Sequence, residues 1–526
     1  MISHNGLALL VTLVLLTSPV ASNAQEAPKG RVHVTVTDNE GNPLAYRGYL
    51  TDANGIAVFP TGVVIFERKS PYAENHFLSR GVLNFFLPPG KYTIRAERGI
   101  EWLPEEHTFQ VRSADQAEIH LTMQRRVDMN GLGWYSGDLH IHRTPGDASV
   151  AILAEDLNFG ANAALWNEKN AFADANRDVP EAPYLEVAPG QVLNTRAQET
   201  ERLGTGWGAA LFLGDYTPVD LPSDIHYPLL SVVCAAAKAA GAHVDFEKPV
   251  WRATPVCAAL GLVDSIGVVN NHFHPRAYLS MSPVRKAIIP PRSIEMRPRE
   301  GAHYILGLYD HLLNCGLRIP VSAGSASGVM PSWVGYERTY VHLEEPFTPE
   351  AWLRALRAGR SFATNGPILL LKAAGAVPGD IHPLASRRMP LRVQVEATSS
   401  SGKLELIEIV HNGEVIAHAR STAGVAALGF DQSVEVGPGW LAARCFEKEG
   451  ITQVYAATSP VYLEHQGDRG TVAASGRYYA NFLQDLIDQV QRGELMQEPH
   501  QIVESVQILQ RAKQFYDGVA QQGKAS

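Results

Sequence analysis

The residues best suited to chemistry in this 526-residue chain are Asp138, His140 and His142. On a β-strand, residues two apart point to the same face, so these three side chains converge while apolar Leu139 and Ile141 face the other way. Two imidazoles and a carboxylate in one patch suit a divalent transition metal such as Zn, Mn or Fe. The spacing predicts a site for one divalent metal, with Asp138 either ligating it or orienting a ligand.

Polar residues at later strand ends can complete such a site. Glu168 follows a predicted strand and offers a further carboxylate ligand. Glu247 and Lys248 end another predicted strand, where a carboxylate can move protons and an ammonium can stabilise developing charge. His272 can ligate the metal or act as an acid or base near neutral pH. We predict Glu247, Lys248 and His272 as catalytic residues and Glu168 as a metal ligand.

Three further residues near the same strand ends are candidates for binding a substrate. The face of Trp166 suits a sugar ring or an aromatic group. Asn271 adds an amide beside His272, and the guanidinium of Arg338 can clamp a carboxylate or sulfate. We therefore expect a small-molecule or glycan substrate.

The secondary structure predicted around these residues differs between four regions of the chain. Short strands and turns over 31–124 predict a β-sandwich. Over 131–370 strands alternate with helices, which indicates a parallel sheet of barrel length, with chemistry at the C-terminal strand ends. Residues 371–465 predict a second β-sandwich, and 473–522 predict a helical tail. The seven strands predicted within 131–370 lie near 134–141, 162–167, 184–188, 209–214, 242–247, 265–271 and 318–323.

Residues 1–24 predict a signal peptide, and hence a secreted or periplasmic protein. The apolar run from Leu7 to Leu16 is too short to span a membrane, and small residues Ser22 and Ala24 suit a cleavage site. No later segment predicts a membrane span. The net charge is −9 and the basic residues are not clustered, which argues against nucleic acid as a partner.

The sequence Gly-Asp-Leu-His-Ile-His at 137–142 resembles the first motif of the PHP (polymerase and histidinol phosphatase) metallohydrolases. The chain is most similar to their exported, carbaryl-hydrolase-like branch. This resemblance covers roughly 131–370 and implies a distorted seven-stranded β/α barrel that hydrolyses esters, carbamates or phosphoesters with metal. Residues 31–124 resemble carboxypeptidase regulatory-like domains. Further stretches that carry the resemblance to the PHP branch are 313–320, 335–341 and 356–367.

Most ligand motifs of that family are replaced in this chain. A trinuclear cluster needs many anionic and imidazole ligands to offset the metal charge, so their loss excludes the full cluster and leaves room for one metal. The family's Thr-Asp-His, bridging Glu, Gly-His, His-Pro and Gly-Ser-Asp motifs are replaced by Trp166-Asn167-Glu168, Pro189-Gly190-Gln191, Gly206-Trp207, Glu247-Lys248-Pro249 and Gly324-Ser325-Ala326.

Together these patterns predict a multidomain α/β plus β protein, with a PHP-like barrel between two β-sandwiches and a C-terminal helical tail. Its predicted function is that of an exported metal-dependent hydrolase. The sequence leaves two alternatives open. One is a catalytically inactive PHP-like binding module for an extracellular glycan or other ligand. The other is a metal-free acid/base enzyme acting on polysaccharide through His140, His142, His272 and Lys248.

Overall fold

The chain is a multidomain, mostly β protein, in which a curled half-barrel sheet carries the candidate site. The computed structural model describes residues 28–67, 74–166, 182–202, 206–219, 224–279 and 296–522. The predicted signal peptide and the predicted ligand Glu168 lie outside these described residues. In the described part of the chain, no helix has the length and apolar character needed to cross a membrane.

The N-terminal strands form two sheets, with strand orders β5-β1-β8 and β3-β4-β2-β6-β7. Alternating apolar residues such as Val32, Val34 and Val36 are fully buried between the sheets, as expected for strands with one face toward a core. The strands are β1 (Gly30–Thr37), β2 (Tyr46–Asp52), β3 (Val64–Phe66), β4 (His76–Ser79), β5 (Val82–Leu87), β6 (Gly90–Glu97), β7 (Glu105–Val111) and β8 (Gln116–Thr122).

The central region follows a short 3-10 helix at Asn130–Leu132. Its strands are β9 (Trp134–Ile141), β10 (Phe159–Trp166), β11 (Tyr184–Ala188), β12 (Gln191–Arg202), β13 (Gly208–Leu213), β14 (His243–Phe246), β15 (Ser265–Asn270), β16 (Val321–Gly324), β17 (Arg338–His342) and β18 (Ser361–Thr364). Its helices are α1 (Pro145–Ala154), α2 (Leu230–Ala239), α3 (Ala253–Ala259), α4 (Pro298–Asn314) and α5 (Pro349–Arg357).

The central sheet runs in the order β16-β15-β14-β13-β12-β10-β9-β17-β18, which differs from an all-parallel arrangement. β13 is antiparallel to both β12 and β14, whereas β9, β10 and β12 are mutually parallel. The ends of β9 and β16 approach each other, because the backbone N–H of His142 donates to the carbonyl of Ser327 at 2.8 Å. The sheet therefore curls, and it also continues beyond β9 into β17 and β18.

The sequence did not predict β12, the longest strand of this region. β12 pairs antiparallel with β11 across a turn at Pro189 and Gly190, where Gly190 adopts a φ of 74°. Its residues are largely polar, so the apolar alternation that marks a half-buried strand is absent.

The C-terminal strands extend the same sheet from β18 through β26, β25 and β22 to β23, and a second sheet has the order β19-β21-β24. Two long helices follow, and they pack against α3 and α4. These elements are β19 (Ile368–Ala373), β20 (Ile381–Pro383), β21 (Met389–Thr398), β22 (Leu404–His411), β23 (Glu414–Val425), β24 (Ala427–Val436), β25 (Gly439–Glu447), β26 (Tyr455–Thr458), β27 (Val461–Glu464), α6 (Ala473–Gln491) and α7 (Pro499–Gln522).

Charged residues anchor the N-terminal sheets to the central region. The guanidinium of Arg98 pairs with Asp156, and the indole N–H of Trp102 donates to the same carboxylate at 2.8 Å. Burial alone raises the pKa of Asp156, but Arg98 and the Trp102 hydrogen bond outweigh it and hold the pKa below its usual value. Asp156 is therefore ionised, and its carboxylate is bound by Arg98 and Trp102 of the N-terminal region.

Candidate metal centre

The end of β9 brings His140 and His142 together inside the curled sheet. Both side chains are buried, and their Nε2 atoms lie 2.9 Å apart. The alternation of β9 explains this arrangement, because residues two apart share a face. The end of β16 packs closely against them: a Cβ added at Gly324 would lie 2.5 Å from the Cβ of His140.

β12 supplies a third candidate ligand, Glu199, which sequence reasoning missed. Its Oε2 lies 2.9 Å from Nε2 of His142 and 3.3 Å from Nε2 of His140. The parallel register of β10 and β12 places Glu199 beside Trp166. Within the described part of the chain, His140, His142 and Glu199 form the group of side chains whose ligand atoms are close enough to hold one metal ion.

The spacing of these three atoms fits a transition metal. Two ligands about 2.1 Å from an ion lie about 3.0 Å apart at a right angle and about 3.4 Å apart at a tetrahedral angle. The observed separations of 2.9 to 3.3 Å match this range. Three protein ligands also leave coordination positions open, as in catalytic rather than structural zinc sites.

The electrostatics of the group show how strongly it attracts positive charge. Burial alone lowers the pKa of His140, but the adjacent Glu199 carboxylate outweighs it and raises the pKa to about 9. In turn, burial of Glu199 is outweighed by the two histidines, which hold the pKa of its carboxyl well below the usual value. The protein thus keeps a carboxylate in a buried place, where it needs a proton or a cation as partner.

Asp138 is not part of this ligand group, so of the two roles that the sequence leaves open for it, direct ligation of the metal gains no support. Its two carboxylate oxygens already accept four hydrogen bonds, from the hydroxyl of Ser325 at 2.6 Å and from the backbone N–H groups of Gly335, Ser325 and His140 at 2.7 to 3.0 Å. With these acceptor sites occupied, Asp138 ties β9 to the loops after β16.

A cavity of about 490 Å³ opens onto the group, a size typical of small-molecule sites. Six residues predicted from the sequence line it: His140, Trp166, Glu247, Lys248, Asn271 and His272. Its remaining walls are mainly apolar and aromatic, formed by side chains that include Trp251, Tyr278, Leu279, Val329 and Met330.

His272 is held in one orientation at the edge of this cavity. Its Nδ1 lies 3.0 Å from the carbonyl oxygen of Leu279, which assigns the ring proton to Nδ1 and leaves Nε2 unprotonated. Burial and the nearby Lys248 ammonium lower the pKa of His272 well below its usual value. The ring is therefore a neutral imidazole near neutral pH, and its unprotonated Nε2 can accept a hydrogen bond.

Glu201 is a second residue that sequence reasoning missed. It lies two residues after Glu199 on β12 and lines the same cavity. Burial, and then the carboxylates of Glu199 and Glu247, raise the pKa of Glu201 to about 8. The signal in the sequence is the pair of glutamates spaced by two after a Pro-Gly turn, which indicates one strand face.

Arg338 does not line this cavity, and its predicted role in substrate binding stays a prediction. It is 1% exposed, and its Nε donates to the carbonyl of Gly335 at 2.6 Å while Nη2 lies 3.5 Å from Glu155 Oε2. Its guanidinium holds the loop before β17 and the buried Glu155 carboxylate.

Comparison with known proteins gives weak structural similarity. No family model and no curated protein matches the chain. A two-domain protein from Bacteroides vulgatus, containing a predicted PHP-like metal-dependent phosphoesterase, is 12% identical over 62% of this chain and 95% of its own, with a TM-score of 0.31. The Bacillus anthracis TIE protein is 16% identical over 22% of this chain and 19% of its own, with a TM-score of 0.15.

GBS52, the minor pilin of Streptococcus agalactiae, is 15% identical over 19% of this chain and 47% of its own, with a TM-score of 0.16. The chain thus spans less than half the length of the TIE protein and of this pilin. These similarities are too weak to carry a functional argument, which depends instead on the geometry of the site.

Proposed function

We propose that this protein is an exported hydrolase that uses one divalent metal, bound by His140, His142 and Glu199, to cleave an ester, carbamate or phosphoester bond. The observation that carries the proposal is the convergence of two Nε2 atoms and one carboxylate oxygen within 3.3 Å of one another in a buried place. Lone pairs this close repel unless a cation or proton lies among them. The identity of the ion is open among Zn, Mn and Fe.

The ion would supply a Lewis acid that polarises the scissile bond and lowers the pKa of a water molecule. Nε2 of His272 would accept a hydrogen bond from the attacking water or the substrate, because its Nδ1 proton is committed to the carbonyl of Leu279 and its lowered pKa keeps the ring neutral. Lys248 brings a buried ammonium to the cavity wall, where it would stabilise negative charge that develops on the substrate.

Trp166 would position the substrate beside the ion. Its ring centroid lies 4.8 Å from that of His142, and it lines the cavity together with Trp251. Aromatic faces bind apolar groups and the C–H faces of sugars, so the leaving group would be a small apolar molecule or a sugar unit. Asn271 lines the cavity as well, and its amide donates to Glu247 at 2.9 Å.

A hydrolysis screen tests this function. The mature protein is stripped of metal, reconstituted with Zn, Mn or Fe, and assayed on chromogenic esters, carbamates and phosphoesters. We expect turnover that disappears on chelation and returns with one of the three ions. Turnover that survives complete metal removal would instead favour the metal-free acid/base enzyme. Metal binding without turnover of any of these substrates would favour the binding module.

Paired histidine variants locate the activity. His140→Ala combined with His142→Ala should abolish both metal binding and turnover in a folded protein. The matched control replaces two exposed histidines of the N-terminal sheets, His107→Ala with His120→Ala, and should leave both properties unchanged. Metal retained by the His140 and His142 double variant would contradict the assignment.

A further inference from the structure

The two nitrogens of His140 have different surroundings. Nε2 faces His142 and Glu199, whereas Nδ1 is buried without a hydrogen-bond partner. When Nε2 of an imidazole binds a cation, the ring proton resides on Nδ1, which then needs an acceptor. Oε1 of Glu247 lies 3.9 Å from Nδ1 of His140.

Glu247 is held in this place by three neighbours. The ammonium of Lys248 pairs with Oε1, and Nδ2 of Asn271 donates to the same oxygen at 2.9 Å. The backbone of Glu247 is also fixed by β15, because a Cβ added at Gly267 would lie only 2.1 Å from the carbonyl oxygen of Glu247. Glu247 therefore cannot move far from His140.

Nδ1 of His140 and the carboxylate of Glu247 are about 1 Å too far apart for a hydrogen bond. A shift of about 1 Å by either side chain, with rotation of the carboxylate, makes a hydrogen bond of about 2.9 Å between Nδ1 of His140 and a carboxylate oxygen of Glu247. Carboxylates that accept from the distal nitrogen of a ligating histidine fix its orientation and raise its basicity.

We propose that Glu247 is a positioning residue that orients His140 toward the metal, and that Lys248 and Asn271 hold its carboxylate for this purpose. This inference rests on the proposed metal-dependent function. It assigns Glu247 a positioning role in place of the proton transfer predicted from the sequence, because Lys248 and Asn271 hold its carboxylate beside His140. The competing explanation is an ion pair in which Glu247 only neutralises the buried Lys248.

The test measures Co²⁺ binding by variants of the full chain, through competition with a chromophoric chelator and through the visible spectrum of bound Co²⁺. Glu247→Gln keeps the shape of the side chain but removes its charge. We expect it to weaken Co²⁺ binding about 10- to 100-fold, the usual loss for such an orienting partner, and to change the spectrum. Neither readout depends on turnover.

A double variant separates the two explanations. Glu247→Gln with Lys248→Met removes both members of the ion pair, so it avoids leaving an unpaired buried ammonium. If Glu247 only neutralised Lys248, this variant would bind Co²⁺ as the wild type does. Positioning predicts that its affinity stays as low as that of Glu247→Gln alone.

Asp245→Asn is the matched control, because it makes the same kind of change to a buried carboxylate on β14. Asp245 accepts hydrogen bonds from Ser265 and Ser322 and acts on His140 only through its charge, so Asp245→Asn should lose much less Co²⁺ affinity than Glu247→Gln. An equal loss in Asp245→Asn, or wild-type affinity in Glu247→Gln, would overturn the inference while leaving the metal site standing. If the wild-type protein binds no Co²⁺, Zn, Mn or Fe, the inference and the proposed function fall together.

Discussion

Gly324→Ala should damage the metal centre without touching a ligand. Gly324 ends β16, and the added Cβ would lie 2.5 Å from the Cβ of His140 and 2.9 Å from its backbone nitrogen. Carbon atoms in ordinary contact lie about 3.5 to 4.0 Å apart, so β9 and β16 must separate by about 1 Å. That displacement carries His140 with it.

The size of the effect follows from this displacement. Overpacking of a closely fitted core costs about 1–3 kcal/mol of the free energy of unfolding. Metal sites tolerate errors of about 0.2 Å in ligand position, so a shift of about 1 Å should weaken metal binding by at least the 10- to 100-fold seen when an orienting contact is lost.

The assay combines denaturant unfolding with a Zn²⁺ competition titration. The control is Gly307→Ala in α4, where the added Cβ meets no atom within 4 Å and should stabilise the helix by about 0.5–1 kcal/mol. We expect metal affinity to be unchanged in the control and lost in Gly324→Ala. Wild-type stability and affinity in Gly324→Ala would refute this account of how β16 positions His140.

Three further results are expected. Glu199→Gln should lose most metal affinity, whereas Glu201→Gln should retain it, because Glu201 lies outside the ligand group; equal losses in a direct titration would contradict the assignment. Acidification should destabilise the wild type more than Asp156→Asn. Because folding lowers the pKa of Asp156, its carboxylate contributes stability that is present above the usual carboxyl pKa and is lost as the pH falls through the folded-state pKa. Parallel curves of the free energy of unfolding against pH for the two proteins over that range would exclude this contribution. Trp166→Ala should raise KM for a hydrolysed substrate more than it lowers kcat, and an unchanged KM would remove its role in binding.

The histidine strand could be predicted because its signal is local. The alternation of Asp138, His140 and His142 with apolar residues predicted a strand at 134–141, and β9 covers the same residues. The hydrogen bonds that occupy the Asp138 carboxylate could not be predicted, because donors come from Ser325 and Gly335, nearly two hundred residues along the chain. Sequence spacing shows which side chains share a strand face, but not which of them already have their hydrogen-bond acceptor sites occupied by distant residues.

Glu199 was missed because the signal for its strand is weak. β12 carries polar residues on much of its length, since one face lines a site rather than an apolar core. The seven-stranded β/α barrel implied by resemblance stays a prediction, because the structure shows a curled half-barrel sheet with an antiparallel β13. Among the described residues of that stretch, β11 and β13 each pair antiparallel with β12.

The most direct test of the central claim is the metal content of the mature protein, purified without chelator or a histidine tag and compared with Glu199→Ala. The account predicts about one equivalent of Zn, Mn or Fe per wild-type chain and a large loss in the variant. A wild-type protein that holds no metal, even after incubation with each of the three ions, would contradict it. The convergence of His140, His142 and Glu199 would then be a protonated imidazole paired with a carboxylate.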